Sequence, residues 1–185
     1  DRVRGETGIA LEIISAEQEA RLAVLGCHAL LEPGEGPALI FDIGGGSTEL
    51  ILIEPGDDDP RVVAWFSAPW GVVSLTESEP HDLPTRDERL AAYARMRARV
   101  ADAFAGFAAT LAPHRTGPCR LLGTSGTVTT LASVHLELPS YDRRAVDGLI
   151  VPSESMRGIS ARLSALSVAE RATLACIGNE RADLV

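Results

Sequence analysis

The chain of 185 residues is long enough for one domain with a real core, or for most of a domain and part of a neighbour. Apolar residues make up 45% of it and the mean hydropathy is +0.10, which fits a folded protein. The formal net charge of −9 excludes a general nucleic-acid surface, because basic residues are nowhere in excess over a stretch long enough to form a basic face. A polyanion would have to be held by backbone amides, a few arginines and a metal. The cysteines Cys27, Cys119 and Cys176 are isolated and odd in number, so neither a disulfide framework nor a zinc cluster is indicated. No apolar run approaches the roughly 20 residues that cross a bilayer and no signal peptide opens the chain, so no membrane partner and a cytoplasmic location are the default expectations. Both ends read as cut through larger structure, with a polar DRVRGETG at the start and an apolar element just beginning at Asp183-Leu184-Val185.

In chain order, Ile9 to Ile14 reads as a short strand. Ser15 with Gln18 then forms a capping box for a helix from Ala16 to about Leu31, expected to bury Ala20, Leu22, Leu25 and Ala29 and to stop at Pro33-Gly34. Glu17 and Glu19 fall at its start, where the helix dipole alone favours acidic residues. Glu19, followed by Ala20 and Arg21, also lies where a strand-to-helix junction could meet a cleft.

Ala38 to Glu54, ALIFDIGGGSTELILIE, reads as two strands joined by a glycine-rich turn. Gly44, Gly45 and Gly46 permit positive φ and leave no Cβ over the loop, so successive N–H groups can face one concavity that suits a phosphate. Ser47 and Thr48 add hydroxyl donors. Asp42 and Glu49 bracket the loop; they would repel a bare phosphate but could hold Mg²⁺ beside one. The alternative is a plain hairpin whose glycines only relieve turn strain.

The acidic turn Asp57-Asp58-Asp59 lacks the spaced oxygen ligands of a calcium loop and reads as solvated. Arg61 to Ser67 returns as a third strand, completing an antiparallel meander. Trp65 and Trp70 are expected in the core rather than as a stacking platform for a base. Thr85 with Glu88 caps a helix of at least 25 residues, whose stripe Tyr93, Met96, Val100, Phe104, Phe107 and Leu111 is core. Its arginines Arg86, Arg89, Arg95, Arg97 and Arg99 read as a solvated face.

A fourth strand, Pro118 to Leu122, feeds a second glycine-containing turn from Gly123 and a helix starting near Thr127, the order expected of an anion-binding helix N-terminus. Thr124, Ser125 and Thr127 could each donate to a phosphate oxygen, although Gly and Thr also occur there merely as caps. Ser153 reads as a helix cap, and Ser167 with Glu170 as a third capping box. Arg181 stands where it could reach an anion or pair with Glu180 or Asp183. The four histidines are scattered and form no base or metal constellation.

SAEQEARLAVLG, FDIGGGSTEL, LLGTSGTVTTLA and the closing NERADLV together resemble the exopolyphosphatase and guanosine pentaphosphate phosphohydrolase family, of the actin-like, sugar-kinase-like ATPase-fold superfamily. The resemblance implies an α/β, ribonuclease H-like domain in which a mixed sheet, three antiparallel strands plus parallel strand or strands, is flanked by helices. Residues 1–15 would end a first domain or linker, and residues 16–185 would be a second actin-like domain, incomplete at its C-terminus. It implies hydrolysis of terminal phosphoanhydride bonds of inorganic polyphosphate, guanosine pentaphosphate or both. In that picture Glu19 is the catalytic base, Asp42 and Glu49 hold Mg²⁺, and both loops, Gly44–Thr48 and Gly123–Thr127, bind phosphate. A glutamate near its reference pKa of about 4.3 is a weak base, so the role demands a desolvated or metal-adjacent position. No serine or cysteine shows a nucleophile's partner in the sequence, which favours direct attack by water over a phosphoenzyme. The rival readings are a superfamily phosphotransferase and a non-catalytic phosphate- or nucleotide-binding lobe. A homodimer of the full-length protein is compatible with either activity.

Overall fold

The computed structural model describes residues 2–31, 34, 36–54, 60–114 and 119–185. The expected helix stop at Pro33, the acidic turn Asp57-Asp58-Asp59 and the strand start at Pro118 lie outside these residues. One sheet contains β1 (Ala38–Ile43), β2 (Thr48–Glu54), β3 (Arg61–Ala68) and β4 (Arg120–Thr124), in the spatial order β3-β2-β1-β4. The first three strands form the antiparallel meander that the apolar runs predict, and β4 joins β1 in parallel, as the family resemblance implies. The helices are α1 (Arg2–Thr7), α2 (Ala16–Cys27), α3 (Val72–Ser78), α4 (Arg86–Leu111), α5 (Ser125–His135), α6 (Arg143–Val146), α7 (Ser153–Ala165), α8 (Val168–Ala172) and α9 (Gly178–Arg181).

Alternation along the strands separates two cores. Ala38, Ile40, Ile51 and Ile53 point to one face and meet Ala20, Val24 and Cys27 of α2. Leu50 and Leu52 point to the other and meet Phe107 of α4, with Phe41, Phe66, Phe104 and Leu111 around them. Phe66 stacks on Phe107 at 5.9 Å between ring centroids and meets Phe104 edge-on at 6.4 Å. A third cluster of Val134, Leu163, Ile177 and Ala182 ties α5 to α7 and the C-terminal turns.

The capping boxes at Ser15/Gln18, Thr85/Glu88 and Ser167/Glu170 all form. Other local expectations do not hold. Ile9 to Ile14 forms no strand; it is exposed, Ile13 wholly so, and an apolar run without a pairing partner cannot stand as sheet. Helix α2 buries Ala20, Val24 and Cys27, while Leu22 and Leu25 are 57% and 47% exposed. Apolar residues surround this helix, so periodicity offered two stripes, and the sheet takes the one with smaller side chains. Trp65 is 40% exposed, and Arg99 lies over the Trp70 ring at 5.9 Å, so Phe66 rather than a tryptophan fills the core. Ser153 opens α7 as its first residue, with Pro152 at the cap position. The arginine face of α4 is only partly solvated: Arg89 donates to Leu83 O at 2.9 Å and to Ala165 O at 3.0 Å.

Because Phe107 joins the sheet to α4, Phe107→Ala should cost about 3–5 kcal/mol. Urea unfolding followed by circular dichroism would measure it; a loss under about 1 kcal/mol would mean that α4 is not seated on Phe66.

Candidate active site

Strand register builds the site. Asp42 on β1 lies opposite Glu49 on β2, Glu49 lies opposite Ser67 on β3, and Asp42 lies beside Thr124 on β4. Residues in register share a face, so Ser67, Glu49, Asp42 and Thr124 form one polar row across the sheet. The row follows the apolar pairs Ile40 and Ile51 at the end where β1 and the parallel β4 both finish. Glu49 is 5% exposed and accepts a hydrogen bond from Ser67 Oγ at Oε1, 2.9 Å away. Burial pushes the Asp42 carboxyl above the usual range, a hydrogen bond with Ser125 opposes the shift, and the Glu49 charge adds to it. Burial first, and then Asp42, pushes the Cys27 thiol up to about 11, so it is an inert core residue.

The first glycine loop leaves the end of β1. None of Gly44, Gly45 and Gly46 adopts positive φ, contrary to the sequence expectation. A neighbouring helix orients the loop instead. Val72 N donates to Gly44 O at 3.0 Å, Val73 N to Gly45 O at 2.9 Å, and Ser74 Oγ to Gly46 O at 3.3 Å. In a planar trans peptide the next N–H points opposite the carbonyl, so the N–H groups of Gly45, Gly46 and Ser47 face away from α3. Among the described residues none of these three has a backbone partner. The approach is close enough that a Cβ on Gly71 would lie 2.4 Å from Gly44 O. Thr48 does not contribute its hydroxyl, which donates to Trp70 O at 2.7 Å.

The second loop leaves β4 on the adjacent strand, at the same end of the sheet. Helix α5 starts at Ser125, which holds φ 80, two residues earlier than the sequence predicts. Gly123 is required because a Cβ there would sit 2.6 Å from the Phe41 ring. The Arg181 guanidinium lies against Gly126, 2.7 Å from where a Cβ would be, so a side chain there would displace it. All 17 Lys and Arg positions of the chain are arginine, and Arg181 is seated on this helix N-terminus. Among the described residues its Nε and the buried Thr127 Oγ1 lack hydrogen-bond partners. Thr124 caps α5 without a side-chain bond. The loops, the row and Arg181 therefore lie together.

Glu19 stands apart. It is exposed in the first turn of α2, and its carboxylate makes no hydrogen bond or ion pair among the described residues. Cys27 is the α2 residue whose ionisation Asp42 opposes, and the helix rises about 12 Å between the two. A cavity of about 410 Å³ lies elsewhere, among α3, α4, α5 and α7, walled by Tyr93, Met96, Val100 and Leu131. It touches the loops only at Thr127 and holds no carboxylate of the row.

The model of the Ppx/GppA phosphatase family matches residues 1–185. The chain belongs to that family. It is 35% identical over 183 residues to Exopolyphosphatase 2 of Mycobacterium tuberculosis, a match covering 96% of this chain and 53% of the relative. It superimposes on the crystal structure of an exopolyphosphatase-like protein with a TM-score of 0.76 and 31% identity, covering 99% of this chain and 56% of that one. The Aquifex aeolicus Ppx/GppA family member gives a TM-score of 0.70 at 28% identity, covering 99% and 55%. The chain spans about half the length of the curated relatives it matches. Its mixed sheet with flanking helices is the actin-like fold of this family.

Sequence reasoning missed Ser67 and the support behind the first loop. Glu79, buried at the end of α3, pairs with Arg95 at 2.6 Å and Arg99 at 3.5 Å on α4. The Arg95 hydrogen bond, joined by the charges of both arginines, holds its carboxyl below the usual range. A lowered folded-state pKa gives stability that is present above the unfolded value, about 4.3, and is lost as pH falls through the folded value. Glu79→Gln should therefore lower the urea midpoint at pH 7, with the difference from wild type shrinking below about pH 4.3. A pH-independent difference would show that the carboxylate's charge is not what holds α3.

Proposed function

We propose that the whole protein hydrolyses terminal phosphoanhydride bonds of inorganic polyphosphate, guanosine pentaphosphate or both. One observation carries the reading: two N–H-bearing turns flank a carboxylate row at the shared end of β1 and β4. Adjacent strands lie about 4.8 Å apart, so one di- or triphosphate can reach both turns. Gly45, Gly46 and Ser47 would bind phosphate oxygens through backbone N–H groups, with the Ser47 hydroxyl beside them. The start of α5 and Thr127 would bind further oxygens, with Arg181 supplying charge.

The donor set fits Mg²⁺. Asp42 and Glu49 are adjacent carboxylates, and among the described residues no group of three or more His, Cys, Asp or Glu side chains forms a cage. Mg²⁺ characteristically takes one or two carboxylates and completes its shell with water and substrate phosphate. When bound, the ion would neutralise charge building on the transferred phosphoryl group. The base in this reading is Glu19, which takes the proton of a water attacking in line. Its support is the family match, the resemblance carried by SAEQEARLAVLG, and a carboxylate with no competing partner among the described residues. The remainder of the whole protein would supply the opposite wall, and a cytoplasmic homodimer is part of the same reading.

In the whole protein, Glu19→Gln should lower phosphate release from polyphosphate about 10²- to 10⁴-fold with little change in substrate affinity. Glu17→Gln loses a helix-dipole charge worth roughly 0.3–1 kcal/mol yet should keep most activity. Equal turnover of Glu19→Gln and wild type, with chemistry rate-limiting, would sink the base assignment. Binding of polyphosphate without release would favour the non-catalytic binding-lobe reading, and transfer to an added acceptor would favour a phosphotransferase.

A further inference from the structure

Glu49 in the row is held by a serine from the strand beside it. Ser67 is the register partner of Glu49, so strand pairing itself sets its 2.9 Å hydrogen bond to Oε1. On the other side Asp42 is the register partner of Glu49, which brings the second carboxylate next to the one that Ser67 holds.

We propose that Ser67 is a positioning residue for the carboxylate pair, holding one oxygen of Glu49 and leaving the other, with Asp42 beside it, to a single divalent cation. The proposal rests on the cation reading given above. Two neighbouring carboxylates repel, and free rotation would let them turn apart. A cation gains from both only when each keeps an oxygen turned to the shared position, so fixing the rotamers beforehand strengthens binding. Hydrogen bonds of this kind to metal-ligating groups typically govern 10- to 100-fold in affinity.

The test uses Mn²⁺ as the probe, with its binding to the whole protein read by electron paramagnetic resonance and calorimetry, alongside thermal melts. Ser67→Ala should weaken Mn²⁺ binding about 10- to 100-fold with little change in melting temperature, and Ser67→Thr, which keeps the hydroxyl on a β-strand, should restore it. Glu49→Gln is the reference. If wild type binds no Mn²⁺, or Glu49→Gln binds it as wild type does, the cation reading fails and the proposal falls with it. If Glu49→Gln weakens binding while Ser67→Ala does not, the positioning role alone is overturned. A Ser67→Thr variant as weak as Ser67→Ala would likewise show that packing, not the hydroxyl, is at work.

Discussion

The register that puts Asp42 opposite Glu49 is the constraint around which the molecule is arranged. Directly paired residues on neighbouring strands sit about 5 Å apart, where two unit charges repel by about 3 kcal/mol at an effective dielectric near 20. Left alone, the sheet would relieve this by slipping, but a one-residue slip would turn every core side chain of β1 and β2 to the wrong face. Ile40, Ile51 and Ile53 on one side and Leu50 and Leu52 on the other are all buried, so the hydrophobic cores fix the charges where electrostatics would not. The strain at Ser125 and the orphaned Thr127 Oγ1 are further local costs at the same end of the sheet. Their clustering is what a site kept for chemistry, rather than stability, looks like.

Long, strongly patterned features were legible in the sequence. The meander, the fourth strand and the 26-residue α4 follow from apolar runs, β-branched content and a stripe at spacings of three and four, while the parallel pairing of the fourth strand came from the family resemblance. The three capping boxes were readable because each is a local contact between residues three apart. Asp42 and Glu49 could be paired on paper, because the turn between their strands is short enough to set register.

What was illegible depends on distant residues. Glycines at 44–46 suggested positive φ, but nothing local reveals that Gly71 brings a helix start against them. Arg95 and Arg99 look like members of a solvated face until the fold brings Glu79 to them. The α4 stripe reads as one core, yet Phe104, Phe107 and Leu111 pack on the sheet while Tyr93, Met96 and Val100 line a cavity. Ser67 carries no motif; only its strand pairing discloses Glu49 as its partner. For Glu19 the sequence supplied a resemblance, and the fold supplies an exposed carboxylate two helical turns from the residue that senses Asp42.

Tying off the loop carbonyls also fixes which sign of charge the glycine loop accepts. A peptide unit has two polar edges, and glycine allows either to turn outward. Had these peptides flipped, Gly44, Gly45 and Gly46 would offer oxygens, and the same sequence would be a cation cradle like those built from backbone carbonyls. Val72, Val73 and Ser74 hold the oxygens inward, so a flip must break hydrogen bonds to α3 before it exposes them. The anion preference of a side-chain-free loop is thus written in another segment of the chain, and Glu79, through its arginine partners on α4, is part of the spelling.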